Sequence, residues 1–202
     1  MTKPNSDRPS PRKSPKQARS HETVSAIIEA AARILEQEGH GGFSTNAVAK
    51  RAGVSVGSLY QYFPGKDALI GALLVRETSL LLQEAEAALI QQTGKDALLA
   101  MVAACIGHQF RRPRLARLLD FEEARLPLDP VTQMVGHQIT SVARQILGRH
   151  DMPPQPDPAV AARDLIAIIK GMIDGAGMSG EEDCEALMAR VKRATFGYIG
   201  IS

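Results

Sequence analysis

Tryptophan is absent from this 202-residue chain and aromatic residues of all kinds make up only 4% of it, so few rings are on hand to line a binding pocket. Any small ligand should then be aliphatic or modest in size. Only two cysteines occur, Cys105 and Cys184, too few for a disulfide framework, and reduced thiols in the cytoplasm are expected. No apolar run approaches the length of a membrane span, and the polar start of the chain has no apolar centre of the secretory kind. Alternating strand patterns and internal repeats are missing too, so an all-helical chain is predicted. Paired acids, or a nucleophile beside a base, are not found in any motif, and no enzyme is expected. Gly65-Lys66 is not a phosphate loop, because Tyr60 stands where the earlier glycine belongs and Asp67 replaces the magnesium-binding Ser or Thr.

The overall charge of +2 conceals an uneven distribution. Within the first 20 residues, Lys3, Arg8, Arg12, Lys13, Lys16 and Arg19 stand against Asp7 alone, with prolines at 4, 9, 11 and 15. Residues 1–19 are therefore predicted to be a disordered basic arm that adds salt-dependent affinity for phosphates or enters a minor groove; a merely solubilising extension is the alternative. Arg19, next to the first helix, is its best candidate for a contact. Residues 21–66 balance to zero, which leaves the remainder acidic.

The most informative stretch is STNAVAKRAGVSVGSLYQYFPGK, residues 44–66. Ser44 is a good N-cap for a helix whose inward residues are Ala47, Val48 and Ala52, and Gly53 can take the left-handed conformation that stops it. Val54 turns inward. Ser55 caps a second helix, Val56 to Tyr62, which points Leu59 and Phe63 inward and leaves Gly57, Ser58, Tyr60, Gln61 and Tyr62 for another surface. Upstream, Val24, Ile27, Ile28, Ala31, Ile34 and Leu35 form one apolar stripe of a helix that Ser20 can cap and Gly39 can end. A three-helix domain over 20–66 with a helix-turn-helix follows, and its second motif helix is the candidate reader of duplex DNA.

With EQEGHGGFST before it and KDALI after it, this segment resembles the DNA-binding domain of TetR-family transcriptional regulators over roughly residues 20–70. The resemblance implies phosphate contacts by Thr45, Tyr60 and Lys66. It places Ser55, Val56, Gly57 and Ser58 at the start of the reading helix, with the last three facing base edges and Gln61 and Tyr62 facing bases or backbone. Gln61 could bond an adenine edge in two places. Val56 and Gly57 depart from the useful pattern in offering no side-chain hydrogen bonds, so reading falls to thymine-methyl contact by Val56, to Ser58 and Gln61, and to DNA shape.

Residues 67–202 read as a larger helical domain, for about nine helices in all. Lys66 and Asp67 open a long fourth helix with Leu69, Ile70, Leu73, Leu74, Leu80 and Leu81 along it. Further helices fit Lys95–Phe110, Leu115–Ala124, Val131–Leu147, Ala159–Ile173 and Glu181–Tyr198, with turns at LPLDP (126–130), DMPPQPDP (151–158) and a glycine-rich stretch, Asp174 to Gly180. Leu165, Ile166, Ile168 and Ile169 nearly encircle the eighth helix, and Leu187, Met188, Val191 and Phe196 line the ninth. The resemblance implies a four-helix homodimer interface here, drawn from Leu165, Ile166, Ile169, Leu187, Met188 and Val191; packing on the chain's own core is the alternative.

It also implies a small-molecule effector bound among helices four to eight, for which Met101, Cys105, His108, Phe110, Phe121, Met134, His137 and Ile169 are candidates; core packing is the commoner role for each. Cys105, His108 and His137 are too sparse for a metal site, and neither a metal nor another cofactor is expected. Arg111, Arg112, Arg114, Arg117 and Arg125 beside Asp120, Glu122 and Glu123 read as an ion-pair network rather than an anion site. The expected function is a homodimeric repressor of a near-palindromic operator, released by a small molecule. An activator, a ligand-independent architectural binder and a thiol-based redox-sensing repressor are the alternatives.

Overall fold

The computed structural model describes residues 18–126 and 130–201. Among them are nine α-helices and a single 3-10 turn: α1 (Ala18–Gly42), α2 (Thr45–Ala52), α3 (Val56–Tyr62), α4 (Lys66–Ala87), the 3-10 turn Ala88–Ile90, α5 (Gly94–Arg111), α6 (Pro113–Arg125), α7 (Pro130–Leu147), α8 (Pro158–Ser179) and α9 (Cys184–Ile199). No helix of the described residues is long and apolar enough to cross a membrane. The chain divides into two compact units, one running to Arg76 and taking in Leu118–Thr132, the other made of Glu77–Arg117 and Gln133–Ser202.

In the first unit α1 packs on α2 and α2 on α3. The stripe of α1 behaves as its period requires: Ile27, Ala31, Ile34 and Leu35 are buried, as are Val48, Leu59 and Phe63. Ala47, Ala52 and Val54 are half-buried, and Ala49 joins Val48 as a fully buried residue of α2. Gly39 interrupts α1 at φ 65 and ψ −163, a backbone region open essentially to glycine alone, and the chain resumes helical turns to Gly42. Ser20 is not the cap: the helix already runs from Ala18, and the Ser20 hydroxyl lies 2.9 Å from that of Tyr62.

The second unit is a helical core in which α8 and α9 pack on each other and on α5. Leu98, Met101, Val102, Ala143, Ile146, Leu165, Ile169, Leu187 and Val191 are all buried in it. Arg149 ties the entry to α5, its guanidinium donating to the carbonyls of Leu89 (2.6 Å), Gln91 (2.6 Å) and Thr93 (3.1 Å). The expected glycine-rich turn after Ile173 is not there. Helix α8 continues through Asp174, Gly175 and Gly177 to Ser179 and stops at Gly180, which is left-handed at φ 73. Packing explains the error, because a Cβ on Gly177 would lie 2.9 Å from Nε2 of the buried Gln109 of α5. That glycine serves close helix approach, which offsets part of its cost of about 1 kcal/mol in helix propensity. Helix α9 correspondingly starts late, capped by Asp183, whose carboxylate accepts from Ala186 N at 2.9 Å.

Candidate nucleic-acid interface

Local capping chemistry builds the helix-turn-helix. Ser44 Oγ accepts the Ala47 N–H at 3.1 Å, and Gly53 closes α2 at φ 69 while its N–H reaches back to the carbonyls of Ala49 and Lys50. Ser55 Oγ accepts the Ser58 N–H at 3.0 Å and lies 2.8 Å from Ser58 Oγ, so the two hydroxyls satisfy each other at the start of α3. Val56, Gly57, Tyr60 and Gln61 are exposed along α3, whereas Leu59 behind them is fully buried. This separation of faces is what a reading helix needs: one side fastened to a core, the other open to a groove.

Two hydroxyl pairs then fix the flanks. Tyr60 OH is 3.1 Å from Thr45 Oγ1, which joins two groups expected to meet phosphate. Tyr62, like Ser58, is half-buried, its hydroxyl joined to Ser20 of α1. Lys66 is half-buried as well. Its Nζ donates to the His40 carbonyl at 3.4 Å and lies 5.4 Å from the Phe43 ring centroid. An ammonium has three donors, so two stay available to an anion. Exposed Lys50 and Arg51 add positive charge to the last turn of α2. The basic arm over residues 1–17 and the side chain of Arg19 lie outside the described residues.

A second constellation of this unit draws Glu122 and Arg125 of the expected ion-pair network into a buried arrangement that was not foreseen. Glu122, near the end of α6, is 3% exposed, and its carboxylate is 2.6 Å from the Arg125 guanidinium. Arg125 also holds Asp67 of α4 at 2.9 Å. His40 Nε2 is buried 3.3 Å from the other Glu122 oxygen, outside hydrogen-bond geometry. The signal was faint: a Glu and an Arg three apart on a helix predict an exposed pair, with nothing in the spacing to bury one of them. Of the remaining arginines in that basic run, Arg111 pairs with Glu84 at 2.7 Å and Arg117 donates to the Gly177 carbonyl at 3.2 Å, which favours the network reading over an anion site.

The effector candidates differ in burial. Met101 and Ile169 are core residues, and Cys105, His108 and Phe110 are half-buried on α5. Phe121 and Met134 are 62% and 54% exposed and His137 is exposed, so these three are surface positions of the chain. Phe121 stands edge-on to His40 with ring centroids 6.2 Å apart. Burial, with help from Glu84 and Asp174, pushes the Cys105 thiol up to about 12, and burial likewise lowers the His108 imidazole, whose Nδ1 is buried without a partner. No group of three potential metal ligands occurs among the described residues.

Four of the proposed interface residues, Leu165, Ile169, Leu187 and Val191, are buried within the chain itself, and Ile166 and Met188 pack against the same core. The four buried ones offer no surface to a partner, whereas Ile166 and Met188 are only partly buried. Helical period says that a stripe is apolar without saying which of two apolar sides meets the subunit's own core. The outward side of α8 carries Val160, Ala167, Gly171, Gly175 and Met178, all exposed, and that of α9 carries Ala189, Gly197 and Tyr198. A Cβ added at Gly171, Gly175 or Gly197 would meet nothing within 4 Å.

Comparison with known proteins matches both parts of the chain. Residues 27–73 fit the model described as bacterial regulatory proteins, tetR family, and residues 95–199 fit that described as tetracyclin repressor-like, C-terminal domain. Nucleoid occlusion factor SlmA of Vibrio campbellii is 30% identical over 156 residues, spanning 74% of this chain and 79% of that protein. The A-factor receptor protein of Streptomyces griseus is 28% identical over 186 residues, 88% of this chain and 64% of that protein. Among solved structures, the fatty acid degradation regulator FadR of Bacillus halodurans superposes with a TM-score of 0.74 at 16% identity, covering 90% of this chain and 96% of that one.

Proposed function

The chain belongs to the tetR family of bacterial regulatory proteins, DNA-binding transcriptional regulators and not enzymes, and from that membership we propose a cytoplasmic homodimeric repressor of a near-palindromic operator, released by a small molecule. The single observation that carries the DNA-reading part is the geometry of α3, with Val56, Gly57, Tyr60 and Gln61 presented to the outside and Leu59 fully buried behind them. Thr45 and Tyr60, already hydroxyl to hydroxyl at 3.1 Å, share one phosphate site, and Lys66 supplies a second. Val56 and Gly57 approach base edges closely; Ser58 and Gln61 give the polar reading, with Ser55 capping the helix behind them. Tyr62 acts from its half-buried place beside Ser20, at the edge of the contact.

One short helix sees too few base pairs for strong specificity, and two such helices a DNA turn apart read an inverted repeat. The dimer this requires uses the outward sides of α8 and α9, where the small residues Ala167, Gly171, Gly175, Ala189 and Gly197 permit close approach of a second pair of helices. Release by an effector then follows from linkage: a ligand that favours the geometry unable to bind DNA is itself weakened by DNA to the same degree. The tetracyclin-repressor-like C-terminal match and the likeness to a protein named a receptor support this part. Cys105, His108 and Phe110, half-buried on one helix above Met101, are its starting points. The likeness to a nucleoid occlusion factor favours the second reading, a DNA binder that organises rather than represses.

Selection of bound sequences from random duplex DNA at near-physiological salt tests the proposal. An enriched inverted repeat supports the dimeric regulator and provides the probe for effector release. Salt-sensitive binding with no enriched motif supports the architectural reading instead.

A further inference from the structure

We propose that Glu122 is a positioning residue for the phosphate grip of Lys66, acting through Arg125 and His40; the proposal rests on the phosphate role given to Lys66 above. Lys66 and Asp67 are consecutive at the start of α4, so the group that must attract a phosphate stands beside one that repels it. Arg125 resolves the conflict by holding Asp67 at 2.9 Å. Glu122 in turn fastens Arg125, with one carboxylate oxygen 2.8 Å from Nε and 2.6 Å from a terminal guanidinium nitrogen.

The other oxygen of Glu122 abuts the imidazole of His40 at 3.3 Å, and the carbonyl of that same residue receives Lys66 Nζ. The residues thus form a chain of contacts that begins at Lys66, passes through His40, Glu122 and Arg125, and ends on Asp67, the neighbour of Lys66. All of them lie in the first unit. Phe43 bears on the Lys66 ammonium from 5.4 Å and completes the bracket.

A lysine free to rotate gives up side-chain entropy when it closes on a phosphate, whereas one whose ammonium is already placed gives up less. The buried carboxylate is what makes the bracket firm. At 3% exposure Glu122 cannot exchange its partner for water, and a buried charge is held only while it is paired. An exposed carboxylate at the same position would bind Arg125 loosely and leave Asp67 unneutralised for part of the time.

The test uses the full chain and an operator duplex recovered by selection, with affinity measured over a range of salt for Lys66→Ala, Glu122→Gln and the double variant. Lys66→Ala is expected to weaken binding about five- to tenfold and to lower the salt slope by about one per subunit. Glu122→Gln should do nearly the same, and the double variant should match Lys66→Ala alone, because both changes remove one contact. Asp67→Asn in the Glu122→Gln background should restore the affinity, since no neighbouring charge is left to neutralise. Arg125→Lys, which keeps the charge and loses the fork, gives an independent reading if Glu122→Gln melts early, and is expected to lower the salt slope in the same way.

If the losses of Lys66→Ala and Glu122→Gln multiply, or if Glu122→Gln leaves both affinity and salt slope untouched while Lys66→Ala lowers them, the positioning role is overturned. An unchanged Lys66→Ala protein overturns the phosphate role and the proposal together.

Discussion

Gly171→Ala separates a lone subunit from a dimer built on the outward side of α8. In the chain by itself an added methyl meets nothing within 4 Å, so only helix propensity is left to act, and it favours alanine by about 1 kcal/mol in a helix interior. A monomeric protein of this size should then melt about 2–4 °C higher. In a dimer closed over Ala167, Gly171 and Gly175 the same methyl is added twice at a close helix crossing. Overpacking of about 1–3 kcal/mol for each copy makes a total of about 2–6 kcal/mol against association, a rise of roughly 30-fold or more in the dimer dissociation constant. Sedimentation velocity over a dilution series measures the constant, and thermal unfolding at low and high protein concentration measures the subunit, the two being linked by mass action. A dissociation constant within twofold of the parent together with a raised melting temperature would refute the interface. Leu165→Ala is the control: buried in the subunit's own core, it should cost about 2–5 kcal/mol at any concentration.

Three further outcomes are expected. Gly177→Ala, the same change six residues further along the same helix, should stabilise the protein less than Gly171→Ala does, because its methyl would stand 2.9 Å from Gln109 Nε2 and oblige that amide to shift; denaturant unfolding compares the two. The Asp151 carboxylate accepts the Gly94 N–H at 2.7 Å, which, with a smaller opposing effect of desolvation, holds it below its ordinary value of 3.8. Since the folded value is the lower one, its stabilisation is present above pH 3.8 and is lost as the pH falls from there through the folded value, so Asp151→Asn should flatten the acid limb of a stability–pH profile. Ellman's reagent at pH 8 should find one fast thiol, the exposed Cys184, and leave Cys105 unmodified until the protein unfolds, its thiol being pushed up to about 12 by burial; a fast second thiol would revive a redox role for Cys105.

The reading head was legible in the sequence because its signals are local. Ser44, Gly53 and Ser55 act within three or four residues of themselves, and each does in the structure what its type and place require. The burial of Leu59 and Phe63 follows from helical period in the same way. Where a residue has two uses, the sequence was a poorer guide. Gly175 and Gly177 look like a turn and are helix residues, one facing outward and the other pressed against Gln109. Leu165, Ile169, Leu187 and Val191 were read as a partner surface because helical period has no direction; their destination is the subunit core. Ser20, Tyr62 and Lys66 were assigned by position alone, and their actual partners lie 42 residues away for the first two and 26 for the third. Glu122 was read as part of an ion-pair network with Arg125, but its burial could not have been found, since what buries it is a meeting of α1 and α6 from distant parts of the chain.

The make-up of the first unit, with Leu118–Thr132 beside the residues up to Arg76, bears on how such proteins can be recombined. A DNA-reading head encoded in one stretch could be transplanted onto another regulator's body by a single crossover after α4 begins. Here that cut would bring His40 and Asp67 without Glu122 and Arg125, and the host's own sixth helix would be pressed into a place it was not shaped for. A working chimaera needs two exchanges, one at the start of the chain and one at the end of α6, and homologous recombination through the first segment alone should yield proteins that are made but bind DNA poorly.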